Sequence, residues 1–238
     1  MIMDRTGEVK RIACEAGADR VGIADLEPFR QKLRVLPGNL LEAFHYALSI
    51  AIRLDTDVIS AITDHPSPDY AEHYRTVNKR LDTAAASIVF YLVGQGFNAL
   101  AVPASQILDE RDLLGAVSHK AIARMAGVGW QGKSLLIVNP DFGPRIRLAT
   151  VLTNMPLDPD KPIRQRCGAC AECAKACPAR AIRNVAGPDG YESREHALHF
   201  SLCAEQTLKF KNLPGIGARI CGVCVKVCPF GRRKRIPQ

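Results

Sequence analysis

The sequence predicts an α+β protein: a layered α/β sandwich over residues 1–157, then a small cysteine-rich module over 158–238. Three observations predict it. Helix and strand candidates alternate along the first part of the chain, which is the pattern of a layered domain. Eight of the nine cysteines fall between Cys167 and Cys228. Between the two regions, Met155–Pro162 carries three prolines in eight residues, which reads as a seam.

The elements follow in order. Residues 4–17 read as a helix, and Val21–Ala24 as a short buried strand ending at Asp25. Ala47–Ile52 is an apolar run of strand length, which periodicity alone does not separate from a helix. After Pro66 and Pro68, Tyr70, Tyr74, Val77, Leu81, Ala84, Ile88 and Tyr91 step by three and four along one helical stripe. Gly94 and Gly96 supply its stop. Phe97–Val102 reads as a strand closed by Pro103, 104–116 as loop or broken helix, and 117–126 as a helix ending at Gly127. A glycine-rich turn, Gly127–Ser134, carries the single tryptophan. Leu135–Val138 and Ile146–Thr153 read as strands joined by the turn Asn139–Pro144.

Composition narrows the classes. Nearly half the chain is hydrophobic, at 47%, enough for one substantial core and a smaller appended unit. No apolar run approaches the roughly 20 residues that span a bilayer, and the first residues lack a signal core, so a cytoplasmic location is expected. Charge is uneven: residues 1–159 hold 17 Lys and Arg against 18 Asp and Glu, whereas 160–238 hold 15 against 6. Part of that excess suits an anionic metal–thiolate group. The rest concentrates in Arg232, Arg233, Lys234 and Arg235, a solvated tail or a docking patch for tRNA or an acidic protein.

The cysteines carry the chemistry. Cys167-x2-Cys170-x2-Cys173-x3-Cys177-Pro178 has the spacing of two-cluster ferredoxins, in which the fourth cysteine ligates the other cluster. Cys203, Cys221, Cys224 and Cys228-Pro229 form an incomplete echo. Crossing the fourth ligands gives a ferredoxin-like domain with two [4Fe–4S] clusters. Cluster A takes Cys167, Cys170, Cys173 and Cys228; cluster B takes Cys177, Cys203, Cys221 and Cys224. Four-cysteine zinc sites also use C-x2-C pairs, but two Cys-Pro endings and eight ligands with none left over favour iron. Cys14, beside Ile12 and Ala13, reads as a buried inert thiol.

The arrangement resembles the epoxyqueuosine reductase family and the related reductive dehalogenases. The residues carrying the resemblance are Gly17–Ala24, His73-Tyr74-Arg75-Thr76-Val77, Ala126-Gly127-Val128-Gly129-Trp130-Gln131-Gly132-Lys133, Leu152–Leu157 and the cysteine pattern. The resemblance implies a nitroreductase-like first domain holding a cobalamin, whose cobalt the clusters reduce to a nucleophilic Co(I) state with electrons from an external low-potential donor. It also implies that Gly127, Gly129, Trp130, Gly132 and Lys133 line the corrin pocket, with Lys133 meeting a peripheral amide or a phosphate.

Two departures bear on activity. Epoxyqueuosine reductases place an aspartate general acid in an Asp-Ser-Ala-Pro-like sequence ahead of the glycine segment. Here the comparable stretch is Val102-Pro103-Ala104-Ser105-Gln106, or Leu113-Leu114-Gly115-Ala116 in ungapped register. Asp109, Glu110 and Asp112 lie nearby, and His119 is the candidate proton donor or cobalt neighbour. Secondly, ten residues follow Cys228, without the family's tRNA-handling extension, so the basic tail is left to meet a polyanion. Three functions are expected to compete: a cobalamin-type iron–sulfur reductase, a ferredoxin-like protein reducing a partner's corrinoid or flavin, and epoxyqueuosine reduction on tRNA.

Overall fold

The computed structural model describes residues 4–187, 191 and 193–232. Of the basic tail, Arg233, Lys234 and Arg235 therefore lie outside the described residues. The chain divides into two compact units, each assembled from separate segments: Met1–Ile52, Val77–Gly129 and Arg147–Ile163 in the first, Arg53–Thr76, Trp130–Ile146 and Arg164–Gln238 in the second.

The first unit is built on a four-stranded sheet, order β1-β2-β6-β3. Its strands are β1 (Arg20–Asp25), β2 (Tyr46–Arg53), β3 (Ala99–Val102) and β6 (Ile146–Thr153). β1 pairs antiparallel with β2, Ile23 opposite Leu48, and β3 antiparallel with β6, Val102 opposite Thr150. Central β2 is buried along Ala47–Ile52; a strand covered on both faces needs a continuous apolar run rather than alternation, which is why its period was ambiguous.

Helix α1 (Arg5–Glu15) is capped by Asp4, whose carboxylate accepts the Gly7 N–H. It buries Val9 and Ala13, one turn apart, which turns Cys14 off the packed face. Cys14 is accordingly exposed, correcting the expected buried thiol. Helix α4 (His119–Met125) begins at Ser118, whose hydroxyl accepts the Ala121 N–H. Its end lies against β1 so closely that a Cβ on Gly22 would stand 2.0 Å from the Ala126 carbonyl oxygen.

The long helix α3 (Pro68–Gly94) contributes Pro68–Thr76 to the second unit and the remainder to the first. Val77, Leu81, Ala84 and Ile88 are fully buried as their spacing predicts, and Leu92 takes the last place on the stripe while Tyr91 stays half-buried. Within the second unit, His73 accepts the Asp55 N–H at 2.9 Å and Arg75 donates to the Ile216 carbonyl at 2.9 Å. Arg75 thus fastens the start of α3 to the cysteine-rich segment, and His73 ties it to the residue that caps α2.

The rest of the second unit comprises a two-stranded ladder, β4 (Trp130–Gln131) with β5 (Ile137–Val138), and five short helices. These are α2 (Thr56–Ser60), α5 (Glu172–Lys175), α6 (Arg194–Ala197), α7 (Phe200–Lys211) and α8 (Val223–Val227). The 135–138 and 146–153 strands do not pair with each other: β5 joins β4, and β6 joins the large sheet. The turn between them closes on itself, Asn139 and Gly143 exchanging both backbone hydrogen bonds at 2.9 Å. Among the described residues no helix is long and apolar enough to cross a membrane.

Candidate metal centre

Local backbone chemistry positions each cysteine of the second unit. Gly168, at φ +48°, turns the chain so that Cys170 N–H reaches the Cys167 carbonyl at 2.9 Å. Helix α5 then carries Cys173, and Cys177 follows its end, with its sulfur accepting the Ala181 N–H at 3.3 Å. Cys203 sits in α7 and packs on a small cluster of Leu135, Ala197 and Leu198. Gly222 adopts φ +83° to start α8, which carries Cys224 and ends at Cys228. A Cβ at Gly222 would meet Ile62 Cδ1 at 2.5 Å. Helices α5 and α8, each leading into a Cys-Pro pair, pack together.

That packing brings cysteines from the two halves of the motif together. Cys167, Cys170, Cys173, Cys224 and Cys228 line one cavity, together with Gly132, Lys133, Ser134, Val138, Pro144, Pro229 and Phe230. On the other side, burial, joined by the neighbouring Cys203 and Cys177, pushes the Cys221 thiol up to about 11. Burial likewise takes Cys224 well above the ordinary thiol value, with Cys221, Cys203, Cys173 and Cys177 around it. Cys228 is raised by burial to about 11, opposed by the Arg145 guanidinium and reinforced by Cys167 and Cys173. The late cysteine therefore neighbours the first triad, and the fourth cysteine of the first motif neighbours the second set.

Eight buried or half-buried thiols are a donor set for metal, because a bound cation displaces their protons and offsets their charge. Among the described residues no three His, Cys, Asp or Glu side chains stand close enough to share one ion. Four thiolates on a tetrahedral zinc, each about 2.3 Å from it, would lie only about 3.8 Å apart. A cubane distributes its thiolates over four irons, so sulfurs ringing a cavity suit it.

Gly132, Lys133 and Ser134 of the glycine segment line this cavity. Trp130 is 1% exposed and meets Phe230 edge-on at 4.8 Å. A Cβ on Gly132 would stand 2.8 Å from Val138 Cγ2 and 3.6 Å from Cys167 Sγ. Gly127, at φ +65°, lies against the Lys161 carbonyl, 2.5 Å from a Cβ. Lys133 is 4% exposed and its ammonium donates to the Cys170 carbonyl at 2.9 Å and Asn184 Oδ1 at 3.0 Å. The Lys133 ammonium thus bonds to a cysteine-bearing loop. Gly129 precedes these residues, in the first unit.

His119 lies in the first unit, with Nδ1 2.8 Å from Thr150 Oγ1 and Nε2 3.0 Å from the Pro103 carbonyl. Burial lowers its pKa to about 4. Asp109 and Asp112 pair with Arg34 at 3.5 and 3.1 Å, and Glu110 is exposed.

Sequence reasoning missed Arg145, Gly143 and Gly231. Arg145 is 3% exposed and donates to the carbonyls of Lys226 at 2.9 Å, Phe230 at 2.6 Å and Cys228 at 3.4 Å. Gly143 and Gly231 bring two backbones into contact: their Cβ atoms would fall 1.9 Å from Phe230 O and 2.0 Å from Phe142 O. The available signal was an arginine opening an apolar strand after a Gly-Pro turn.

With this geometry in place, residues 166–231 match the family described as a 4Fe-4S double cluster binding domain. Over about half its length the chain is similar to epoxyqueuosine reductases and reductive dehalogenases. The epoxyqueuosine reductase of Bacillus subtilis (strain 168) is 34% identical over 122 residues, 50% of this chain and 31% of that protein. The tetrachloroethene reductive dehalogenase of Sulfurospirillum multivorans is 41% identical over 123 residues, 49% of this chain and 24% of that one. A solved reductive dehalogenase, described as suggesting a mechanism for B12-dependent dehalogenation, shares the fold with a TM-score of 0.74 at 22% identity, over 96% of this chain and 32% of that one. The matched segment thus spans about a third or less of the length of these relatives.

Proposed function

We propose that this chain is an iron–sulfur oxidoreductase that passes single low-potential electrons from an external donor, through two [4Fe–4S] clusters, to a cobalamin. Cys167, Cys170, Cys173 and Cys228 hold cluster A; Cys177, Cys203, Cys221 and Cys224 hold cluster B. The observation that carries this reading is that Cys228, from the far end of the sequence, lines one cavity with Cys167, Cys170 and Cys173, with Cys224 also at its wall. Fourth ligands exchanged through the packed α5 and α8 bring two cubanes close together, and closeness is what electron exchange requires.

Cobalamin, when bound, would supply a cobalt able to take these electrons and act on a substrate. It is supported by the relatives alone, among them the B12-dependent dehalogenase. Trp130 is buried against Phe230, and Lys133 is buried at the cysteine-lined cavity with its ammonium on the Cys170 carbonyl and Asn184. The nitroreductase-like character of the first unit rests on the same relatives. Lys133 at the cysteine-lined cavity favours a second reading, an electron-delivery protein that reduces a partner's corrinoid or flavin. Reduction of epoxyqueuosine on tRNA, with the basic tail as the docking patch, is the narrower form of the first.

Anaerobic purification with added cobalamin separates the readings: a corrin absorption band co-eluting with the protein supports the reductase, and a cluster-only spectrum supports the carrier. For the ligand assignment, Cys177→Ala is expected to remove cluster B and leave about four irons. Loss instead of the cluster held by Cys167, Cys170 and Cys173 would refute the crossed assignment.

A further inference from the structure

Two cations are buried among the described residues, Lys133 at 4% and Arg145 at 3% exposure, and both stand at the same end of the cysteine module. Among the described residues neither pairs with a carboxylate. Lys133 lines the cavity ringed by Cys167, Cys170, Cys173, Cys228 and Cys224, and donates hydrogen bonds to the Cys170 carbonyl and to Asn184. Arg145, next to the cavity-lining Pro144, binds the carbonyls of Lys226, Cys228 and Phe230. Its Nε is buried with no acceptor among the described residues. A buried cation without a counter-charge is costly to keep. Among the described residues neither cation bonds to the segments of Cys177, Cys203 or Cys221, and of that second set Cys224 alone shares the cavity that Lys133 lines.

A cubane with four thiolates is anionic, and accepting an electron adds one more negative charge. Fixed positive charge in a low-dielectric setting stabilises the reduced form over the oxidised one, which raises the reduction potential. Resting on the two-cluster reading above, we infer that Arg145 and Lys133 are the counter-charges of cluster A and make it the more easily reduced of the pair. The first electron delivered to the module therefore resides on cluster A. Arg145 acts as a positioning residue as well, since its fork fixes the carbonyl of Cys228, the ligand that arrives from the far end of the sequence. The step is one electron from an external low-potential donor, with no bond made or broken.

The test is a dithionite titration of the anaerobically reconstituted full chain, followed by paramagnetic resonance. Cys228→Ser identifies the cluster A signal, because that signal alone changes shape or disappears. In the unsubstituted protein the cluster A signal is expected to develop first. Arg145→Met should change its oxidised-to-reduced ratio at fixed potential by tenfold or more, a shift of about 59 mV towards more negative values. Lys133→Met should move it the same way, and cluster B should stay in place. Arg145→Lys keeps the charge and loses the fork, so the potential should hold even where thermal stability falls. If Arg145→Met fails to retain cluster A, Lys133→Met and Arg145→Lys decide the matter. Cluster A reducing second, or a potential unmoved by the charge-removing variants, would overturn the inference. A protein holding only one cluster signal and about half the iron would instead sink the two-cluster reading, and the inference with it.

Discussion

Gly143→Ala puts the link between the 139–145 turn and the Cys228 loop under direct load. Two costs follow from the structure. Gly143 has φ +59°, a left-handed conformation that costs an alanine roughly 1–2 kcal/mol. In addition, the new Cβ would stand 1.9 Å from the Phe230 carbonyl oxygen, where contacts under 3.0 Å are not sustained. The backbones must therefore separate by about 1 Å, an overpacking penalty of about 1–3 kcal/mol. The sum is about 2–5 kcal/mol. Gly96→Ala is the control, since Gly96 has φ +83° and no heavy atom within 4 Å of a Cβ, so only the first cost applies. The assay is the urea midpoint of the anaerobic holoprotein, with iron release to a chelator measured in parallel. The Gly143 variant is expected to lose roughly 1–3 kcal/mol more than the Gly96 variant and to release the iron of cluster A before that of cluster B. Equal destabilisation by the two variants, or earlier loss of cluster B, would refute the reasoning.

Two further outcomes follow. His119 is held neutral by burial, with a folded pKa of about 4 below the ordinary histidine value. The unfolded chain therefore binds its proton first, and the stability due to the neutral ring is complete above about pH 6.5 and is lost as pH falls from there towards 4. His119→Gln should flatten the dependence of the urea midpoint across that window; an unchanged slope would place the pH sensitivity elsewhere. Cys14→Ser should leave iron content and both paramagnetic signals unaltered, because Cys14 is exposed on α1 in the first unit. A changed signal would make it a ligand.

The elements of the first unit were legible where the apolar period was clean. The α3 stripe and β6 emerged close to their predicted bounds, since a side chain's partition between core and water depends on its position in a short repeat. The 135–138 segment was harder: strand character was readable, but its partner was not, because β5 pairs with β4 rather than with the strand that follows its turn. Cysteine spacing was legible for a related reason. Thiolates two or three residues apart on one tight loop must serve neighbouring irons, whatever surrounds them.

By itself the sequence determined which residues carry sulfur to the centre and that they come in two interleaved sets. Only the tertiary structure decided what surrounds them: Lys133 turned onto the Cys170 carbonyl, and Arg145 clasping the loop of Cys228. Those partners are backbone carbonyls, which every residue possesses and no sequence pattern marks. A buried cation's role becomes readable only when the chain has brought a particular carbonyl, and the thiol beside it, within reach.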